Sequence, residues 1–598
     1  MKHLIRLTAI AVLLIAGMAA AGAQQEPALL DATSHPKFVT PVPNPLHPGF
    51  IFQPDGTTMT GEPLYNVGMF EFYQSLGLVD AAGNPLLTKV WGYGKDKAGA
   101  TYPGRTFVAY SNQPVNVMWT NNLVDDLGNP LPHFLPVDSS VHWAAPLDPP
   151  YPYSGVPAVT HVHGGLTESA SDGIPEAWFT PGFAQVGKDW KKALYHYDFP
   201  QQSGTVWYHD HALGITRLNV YAGLAGFFLI RDALDTGQRD NPLGLPAYPY
   251  EVPLAIQDRM FTADGQLYYP AEPEEEGQPT PSHLPEFFGD FVLVNGQSWP
   301  VLDVEPRKYR LRFLNGSDSR FYNMWIAPAV TTGFAAGPQI VQIGSDAGLL
   351  YAPVFLDQLT IGPGERVDTI VDFAGFQGST LILRNNARSP FPKGETVNPQ
   401  TNGQIMAFRV GTTVTEPDQP IPATLLPAPI EMPIQTGPTR RLILFEGEDE
   451  FGRLRAQLGT TDAGPLMWAD PITENPMLHD TEVWEIFNTT EDAHPIHLHL
   501  VHFQMIDRQK FRAHMTPDGA LTNIRVIGRP SKPDPDEVGL KDTVRMFPGT
   551  VTRIIAKFDV PGLSVWHCHI LSHEDHEMMR PYCIGEMDAC MSSPMTMP

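Results

Sequence analysis

The 598-residue sequence has little cysteine, little positive charge and few long apolar stretches. Its three cysteines allow at most one disulfide. It has 39 Lys and Arg against 65 Asp and Glu, a formal charge of −26, and such a surface repels nucleic acid and anionic lipid. Beyond the N-terminus, no apolar run approaches the roughly 20 residues that cross a bilayer. We therefore predict no nucleic-acid partner and no membrane span.

Long helical periodicities are also scarce. The sequence instead carries 60 prolines and 52 glycines, which indicates many short strands joined by turns. The length is enough for roughly three or four domains, and a hydrophobic content of 42% fits a large core. These features predict an all-β fold.

Residues 1–23 have the pattern of a secretory signal peptide. Lys2 and Arg6 precede an apolar run from Leu7 to Met18, and small residues follow up to Ala23. This order predicts cleavage after Ala23 and export to the periplasm or the extracellular space. The alternative is an N-terminal core helix.

The residues that carry chemistry are concentrated around His567-Cys568-His569, which ends a β-type run. Neighbouring side chains of a strand point to opposite faces, so Cys568 would face one metal site and both histidines another. His573 follows Cys568 by five residues, and Met578 follows by five more. A thiolate, imidazoles and a weak thioether are the ligands of a blue-copper electron-transfer site, which here still lacks one histidine.

Three further histidine clusters supply the missing ligands. Each contains an H-x-H pair, whose two rings lie on the same face of a strand. The clusters are His161 and His163; His209 and His211; and His494, His497 and His499. Zinc binding or core packing is the alternative, but zinc prefers four closed ligands, which ten histidines around one cysteine do not suit.

The four clusters, in this order and spacing, resemble the copper signatures of the multicopper oxidases. His161 to Phe179 and His567 to Pro581 are most similar to the bacterial spore-coat laccase and bilirubin oxidase group, and the resemblance runs from about Leu87 to about Pro581. It implies three cupredoxin-like Greek-key β-barrel or sandwich domains. The predicted segments after the signal peptide are an N-terminal arm (24–85), domain 1 (86–235), domain 2 without copper of its own (245–411), a proline-rich linker (412–437), domain 3 (438–585) and a flexible tail (586–598).

The resemblance also implies four copper ions and assigns their ligands. The type 1 copper would take His494, Cys568, His573 and Met578. The type 2 copper would take His161 and His497. The type 3 pair would take His163, His209, His211, His499, His567 and His569.

Three residues are expected to take part in the reaction beyond binding metal. The resemblance places Glu574 and Asp172 near the oxygen-binding cluster, where each would relay protons or orient a ligand histidine. His573 would present an exposed ring edge to the electron donor.

The implied activity is that of a laccase. Small aromatic donors (phenols, aromatic amines or bilirubin-like molecules) would be oxidised by one electron each, and dioxygen would be reduced to water. The protein is expected to be a monomer. A Mn(II) or Cu(I) oxidase is one alternative, and a copper-storing or electron-transfer protein without dioxygen reduction is another. A copper nitrite reductase is disfavoured because it lacks the four-cluster pattern.

Cys583 and Cys590 remain after Cys568 is assigned to copper. In an exported protein we expect them to form a disulfide that closes a short C-terminal loop. The alternative is two free thiols in the tail.

Overall fold

The computed structural model describes residues 27–142, 155–329 and 337–591. The predicted signal peptide and the end of the tail, residues 592–598, lie outside the described residues. Strands dominate the described part, which confirms the predicted all-β class. None of the helices in these ranges is long and apolar enough to cross a membrane.

The described residues of the first region, 56–142 and 155–231, form two sheets, one α-helix and two short 3-10 helices, Ser169–Ser171 and Pro181–Phe183. Its strands are β1 (Gly56–Thr57), β2 (Pro63–Gln74), β3 (Thr88–Gly94), β4 (Gly104–Tyr110), β5 (Val115–Asn121), β6 (Thr160–His163), β7 (Leu194–Tyr197), β8 (Gly204–Asp210) and β9 (Ala225–Arg231), and its helix is α1 (Thr216–Ala222). One sheet has the order β1-β2-β5-β7 with β3 paired to β2, and the other has the order β4-β9-β8-β6.

Strand β2 corrects the predicted N-terminal arm, which was expected to extend to residue 85. Residues 63–74 instead pair with β3 and β5 inside the first sheet. The physical reason is apolar alternation: Tyr65, Val67 and Met69 are all buried in the core. The described parts of the arm before β1 and after β2 run as irregular segments with isolated bridges.

The described residues of the middle region, 251–329 and 337–410, form strands joined by turns and loops. Its strands are β10 (Glu251–Phe261), β11 (Leu267–Tyr268), β12 (Phe291–Val294), β13 (Gln297–Ser298), β14 (Val301–Val304), β15 (Lys308–Asn315), β16 (Tyr322–Pro328), β17 (Ile340–Ser345), β18 (Gly348–Leu356), β19 (Leu359–Ile361), β20 (Arg366–Asp372), β21 (Thr380–Asn385) and β22 (Gln404–Val410). The two sheets have the orders β13-β12-β10-β15-β20-β17-β18, with β11 on β10, and β14-β22-β21-β16-β19.

The last region, residues 439–591, carries the remaining elements. Its strands are β23 (Thr439–Glu448), β24 (Leu454–Thr460), β25 (Gly464–Leu466), β26 (Thr481–Asn488), β27 (His494–Leu498), β28 (Phe503–Met515), β29 (Leu521–Ser531), β30 (Thr543–Met546), β31 (Thr550–Lys557), β32 (Gly562–Cys568) and β33 (Met579–Ile584), and its helices are α2 (Leu571–Asp575) and α3 (Met587–Met591). One sheet is β25-β24-β23-β26-β31-β28-β29 and the other is β30-β27-β32-β33.

The predicted linker and the predicted flexible tail differ in how well the structure agrees with them. Residues 412–437 contain no helix or strand, as expected of a proline-rich connection. The tail, predicted to be flexible from residue 586, begins instead with α3. The Cys583–Cys590 disulfide is formed and ties α3 to the end of β33.

The burial of β2 generates a stability prediction. Met69 is fully buried, so Met69→Ala is expected to lower the free energy of unfolding by about 2–5 kcal/mol through lost contacts and a cavity. Tyr73 lies on the same strand but is 60% exposed, and Tyr73→Ala is expected to cost less than about 0.5 kcal/mol. Urea unfolding of both variants measures the difference. Equal costs would show that β2 does not contribute to the core.

Candidate metal centre

Two pairs of antiparallel strands carry the histidines. In the first region, β6 pairs with β8 so that His161 lies opposite His209. In the last region, β27 pairs with β32 so that His497 lies opposite His567. In each cluster the second histidine follows two residues after the first, either within β6 or directly after β8, β27 or β32. Because alternate side chains share a face, it lies beside the first.

The strand pairs of the first and last regions face each other and bring eight rings together. His161 stacks on His499 with ring centroids 3.8 Å apart, and His163 stacks on His497 at 3.7 Å. All eight histidines are buried. The site therefore lies in the interface between two regions that are far apart in the sequence.

The ring nitrogens fall into small groups whose members lie within 4.8 Å of one another. One triplet joins His163, His209 and His569. A second joins His211, His499 and His567. His161 and His497 come together with His163 in a third group. The two triplets contain the six residues expected for a type 3 pair, and His161 and His497 are the residues expected for type 2.

Hydrogen bonds on the outer side of the rings determine which nitrogen faces inward. His161 Nδ1, His209 Nδ1 and His497 Nδ1 donate to the backbone oxygens of Asp172, Asp210 and Asp542, at 2.6, 2.8 and 2.8 Å. A neutral imidazole has only one N–H, so the inner Nε2 of each of these rings is a bare acceptor. These three Nε2 atoms are buried and have no hydrogen-bond partner.

The second triplet also has rings that donate outward through Nδ1 and leave Nε2 as a bare acceptor. His499 Nδ1 donates to the Asp172 carboxylate at 2.8 Å, and His567 Nδ1 donates to the Cys568 carbonyl at 3.0 Å. Burial holds the pKa of His499 well below its ordinary value, so its ring is neutral. The Nε2 atoms of His499 and His567 nevertheless lie 3.2 Å apart. Two lone pairs at this distance require a cation between them, and neutral imidazole suits copper.

The expected blue-copper ligands form a separate buried group. Cys568 Sγ lies 3.6 Å from His494 Nδ1 and 3.9 Å from His573 Nδ1. Burial raises the pKa of the Cys568 thiol well above its ordinary value, so its thiolate form needs a bound cation. Met578 is buried beside them, since its backbone oxygen accepts from Cys568 N–H and its N–H donates to the His573 oxygen. This donor set fits a type 1 copper.

Both predicted acids lie against the rings. Asp172 binds His499 through its carboxylate and His161 through its backbone oxygen. Glu574 lies between ligands from two regions, with Oε2 3.0 Å from His567 Nδ1 and Oε1 3.4 Å from His211 Nδ1. Neither oxygen of Glu574 has a hydrogen-bond partner in this part of the structure. Asp172 thus accepts hydrogen bonds from two of the rings, whereas Glu574 lies beside two rings without accepting one.

The expectation that His573 presents an exposed edge is wrong. Its side chain is only 2% exposed. The cause is the packing of α2, whose Ser572 binds two residues of the middle region: its N–H and hydroxyl donate to Asp318, and its carbonyl oxygen lies 2.9 Å from His283 Nε2. A distant segment therefore covers the helix that carries His573.

Sequence reasoning missed several residues that hold the ligands in place. Thr490 Oγ1 lies 2.7 Å from His494 Nε2, and the carboxylate of Asp542 lies 3.1 Å from His163 Nε2. Burial alone would raise the pKa of Asp542, but Arg366 and His163 hold that pKa well below its usual range. No motif marks these residues, because their partners are separated from them in the sequence or belong to another region.

Comparison with known proteins finds similarity in the same parts of the chain that carry the histidine clusters. Family models described as multicopper oxidase match residues 156–235 and 453–588. The laccase of Bacillus stratosphericus is 43% identical over 83% of this chain and 90% of its own length. The similarity to bacterial laccases predicted from the motifs is confirmed.

Solved structures share the fold. A multi-copper oxidase from Pediococcus acidilactici matches with a TM-score of 0.68, covering 96% of each chain at 24% identity. A multicopper oxidase from Campylobacter jejuni, described as a metallo-oxidase, matches with a TM-score of 0.63 at 19% identity, covering 94% of this chain and 98% of its own. These matches confirm the cupredoxin-like architecture.

The hydrogen bond between Asp172 and His499 generates a prediction. Asp172→Ala removes the acceptor that fixes the tautomer of His499, so copper is expected to bind the histidine site about 10–100-fold more weakly. Asp198→Ala is the matched control, because Asp198 binds His196 at 2.9 Å outside the centre. Dialysis against a graded chelator series, with copper counted, measures the effect. Equal copper retention in both variants would contradict the assigned role of Asp172.

Proposed function

Because the chain belongs to the multicopper oxidase family and is an oxidoreductase, we propose that it acts as a laccase. Phenols, aromatic amines or bilirubin-like donors would each give one electron at the Cys568 site, and dioxygen would be reduced to water at the eight-histidine site. Four copper ions would be held by the two donor sets described above. Membership of an enzyme family disfavours the alternative of a storage or electron-transfer protein.

The observation that carries this proposal is the position of Cys568 in the chain. His567, directly before it, belongs to one histidine triplet, and His569, directly after it, belongs to the other. One residue of the donor site is therefore joined to both triplets through short stretches of backbone. Copper bound at the two sites would supply the one-electron chemistry that couples donor oxidation to the four-electron reduction of dioxygen.

The protein's own groups provide the surroundings that this chemistry needs. The buried interface excludes bulk water from the histidine rings, and the outer hydrogen bonds hold the rings in fixed tautomers. Dioxygen reduction also consumes protons. Glu574, with two unpartnered oxygens beside His211 and His567, is the group placed to hold and transfer a proton there.

Oxidation of a metal ion such as Mn(II) or Cu(I) is a second candidate, favoured by acidic groups at the other type 1 histidine. Glu446 Oε1 lies 3.6 Å from His494 Nε2. Burial and then the nearby Asp492 raise the pKa of Glu446 to about 7. A cation bound beside these carboxylates would sit next to a type 1 ligand. The structural similarity to a protein described as a metallo-oxidase supports the same candidate.

We propose that the protein is exported and acts as a monomer in the periplasm or the extracellular space. The N-terminal pattern supports export. The Cys583–Cys590 disulfide supports an oxidising compartment.

The proposal is tested by measuring dioxygen uptake with a panel of electron donors that includes phenols, aromatic amines, bilirubin, Mn(II) and Cu(I). We expect turnover with phenols, aromatic amines or bilirubin, and four donor electrons consumed per dioxygen. A kcat/KM for Mn(II) or Cu(I) that exceeds those of all aromatic donors would select the second candidate. A copper-loaded protein that consumes no dioxygen with any reductant would refute both.

Substitution of the sulfur ligand tests the electron path. Cys568→Ser is expected to abolish the blue absorption of the thiolate and all donor oxidation, because the residue that lies between the two triplet histidines His567 and His569 loses its metal ligand. Copper at the eight histidines is expected to remain. Donor oxidation at the wild-type rate in this variant would show that electrons enter elsewhere.

Removal of the proton-holding group separates the two half-reactions. Glu574→Gln keeps the size of the side chain but carries no exchangeable carboxyl proton, so reoxidation of the reduced enzyme by dioxygen is expected to slow on the order of 10²-fold. Anaerobic reduction of the blue site by donor is expected to be unchanged. Stopped-flow absorbance measures both steps.

Glu577→Gln is the matched control for that experiment. Glu577 is a buried acid close to Glu574 in the sequence, but its carboxylate accepts from Trp468 N–H and faces His142 instead of the rings. If both variants reoxidise at the wild-type rate, Glu574 only supports the site structurally.

A further inference from the structure

The Asp542 carboxylate, in the last region, lies against the outer side of the histidine site. Its Oδ1 is 3.1 Å from His163 Nε2, and its backbone oxygen accepts from His497 Nδ1 at 2.8 Å. One residue thus contacts a histidine of the first region and a histidine of the last. These two rings are also the pair that stack at 3.7 Å.

Asp542 is in turn held by Arg366, the first residue of β20 in the middle region. Arg366 Nη1 donates to Asp542 Oδ1 at 2.7 Å, and Nη2 donates to Oδ2, so the pair is bidentate. The remaining donors of the guanidinium bind backbone oxygens of Thr205, Gly364 and Asp346. The fully buried Arg366 therefore joins all three regions at one point.

The backbone after His163 passes directly over this ion pair. Gly164 has a φ of +85°, and a Cβ there would lie 2.5 Å from Arg366 Nη2 and 2.6 Å from Asp542 Oδ2. Any larger residue would both strain the backbone and displace the pair. The glycine that follows the first histidine cluster is thus required by a contact with the other two regions.

We infer that Arg366 and Asp542 are positioning residues, through which the middle region fixes His163 and His497 for metal binding. The carboxylate accepts the Nε2 proton of His163 and leaves Nδ1 as the inward lone pair; the backbone oxygen does the reverse for His497. His163 Nδ1 and His497 Nε2 are both buried without a hydrogen-bond partner. This assignment rests on the proposed copper sites and gives the region without ligands a role in holding metal.

A second buried arginine of the middle region offers a matched control. Arg310 on β15 is as buried as Arg366 and pairs with Asp235 and Asp368 at 2.7 and 2.6 Å. It joins the middle region to Asp235, in the connection that follows the first region, but makes no hydrogen bond to a histidine of the centre. Loss of Arg310 therefore reports the general cost of breaking a buried ion pair away from the centre.

The experiment compares holoprotein carrying Arg366→Lys, Asp542→Asn or Arg310→Lys with the wild type. Copper retained during dialysis against a graded chelator series is counted, and the blue absorption gives the copper at the Cys568 site, so the difference between the two is the non-blue copper. Arg366→Lys and Asp542→Asn are expected to hold non-blue copper about 10–100-fold more weakly with unchanged blue absorption. Arg310→Lys is expected to unfold at lower urea concentration while it retains copper as the wild type does.

Two results would overturn the inference. One is wild-type retention of non-blue copper in both Arg366→Lys and Asp542→Asn. The other is equal copper loss in Arg310→Lys, which would show that the loss of any buried ion pair in the middle region weakens copper binding.

If the first two variants fail to fold, Thr543→Val decides the question. The hydroxyl of Thr543 lies 3.2 Å from His163 Nε2 and 2.9 Å from Asp542 Oδ1. A loss of non-blue copper in this variant supports the inference, and wild-type retention overturns it. A wild-type protein without non-blue copper would instead refute the proposed function.

Discussion

Bare nitrogen atoms that face each other inside a dry interface are the constraint on which this molecule depends. His499 Nε2 and His567 Nε2 approach to 3.2 Å although the single proton of each ring is committed to an oxygen on the outer side. Such an arrangement is unfavourable for the protein alone, because buried acceptors without donors lose the hydrogen bonds they make in water. The outer oxygens therefore do more than hold rings: they prevent the rings from satisfying one another and keep them available to a metal.

The fold maintains this unfavourable arrangement with contacts between regions. Besides the Arg366–Asp542 pair, the Asp575 carboxylate of α2 accepts from the backbone N–H groups of Thr216 and Arg217 at the start of α1, both at 3.0 Å. These contacts bring the segment after His211 and the segment after His573 to a fixed separation, with Glu574 between them. The stability gained from the surrounding contacts compensates for the cost of burying these acceptor nitrogens without hydrogen-bond donors.

The sequence predicted what is local and failed where distant segments meet. Histidine pairs spaced by two, and Cys568 between two histidines, have consequences that a single strand already determines, so these residues could be predicted as candidate ligands from the clusters and from the family resemblance that the clusters carry. Arg366 and Asp542 form their contact across two regions, and the sequence around neither residue contains a motif that predicts the contact. The burial of His573 was missed for the same reason, since residues 283 and 318 supply its cover. Strand β2 was missed because the proline-rich residues around it dominated a short alternating pattern.

The location of the ligands also determines when the site can exist during synthesis. Each triplet takes members from β6, β8 or the residue after β8 and from β32 or the residue after β32, so neither has its full set until the ribosome has completed nearly the whole chain. The first and middle regions share a continuous apolar core and can become compact before that point. A truncated chain that ends before β32 would therefore lack His569 of one triplet and His567 of the other, and could complete neither.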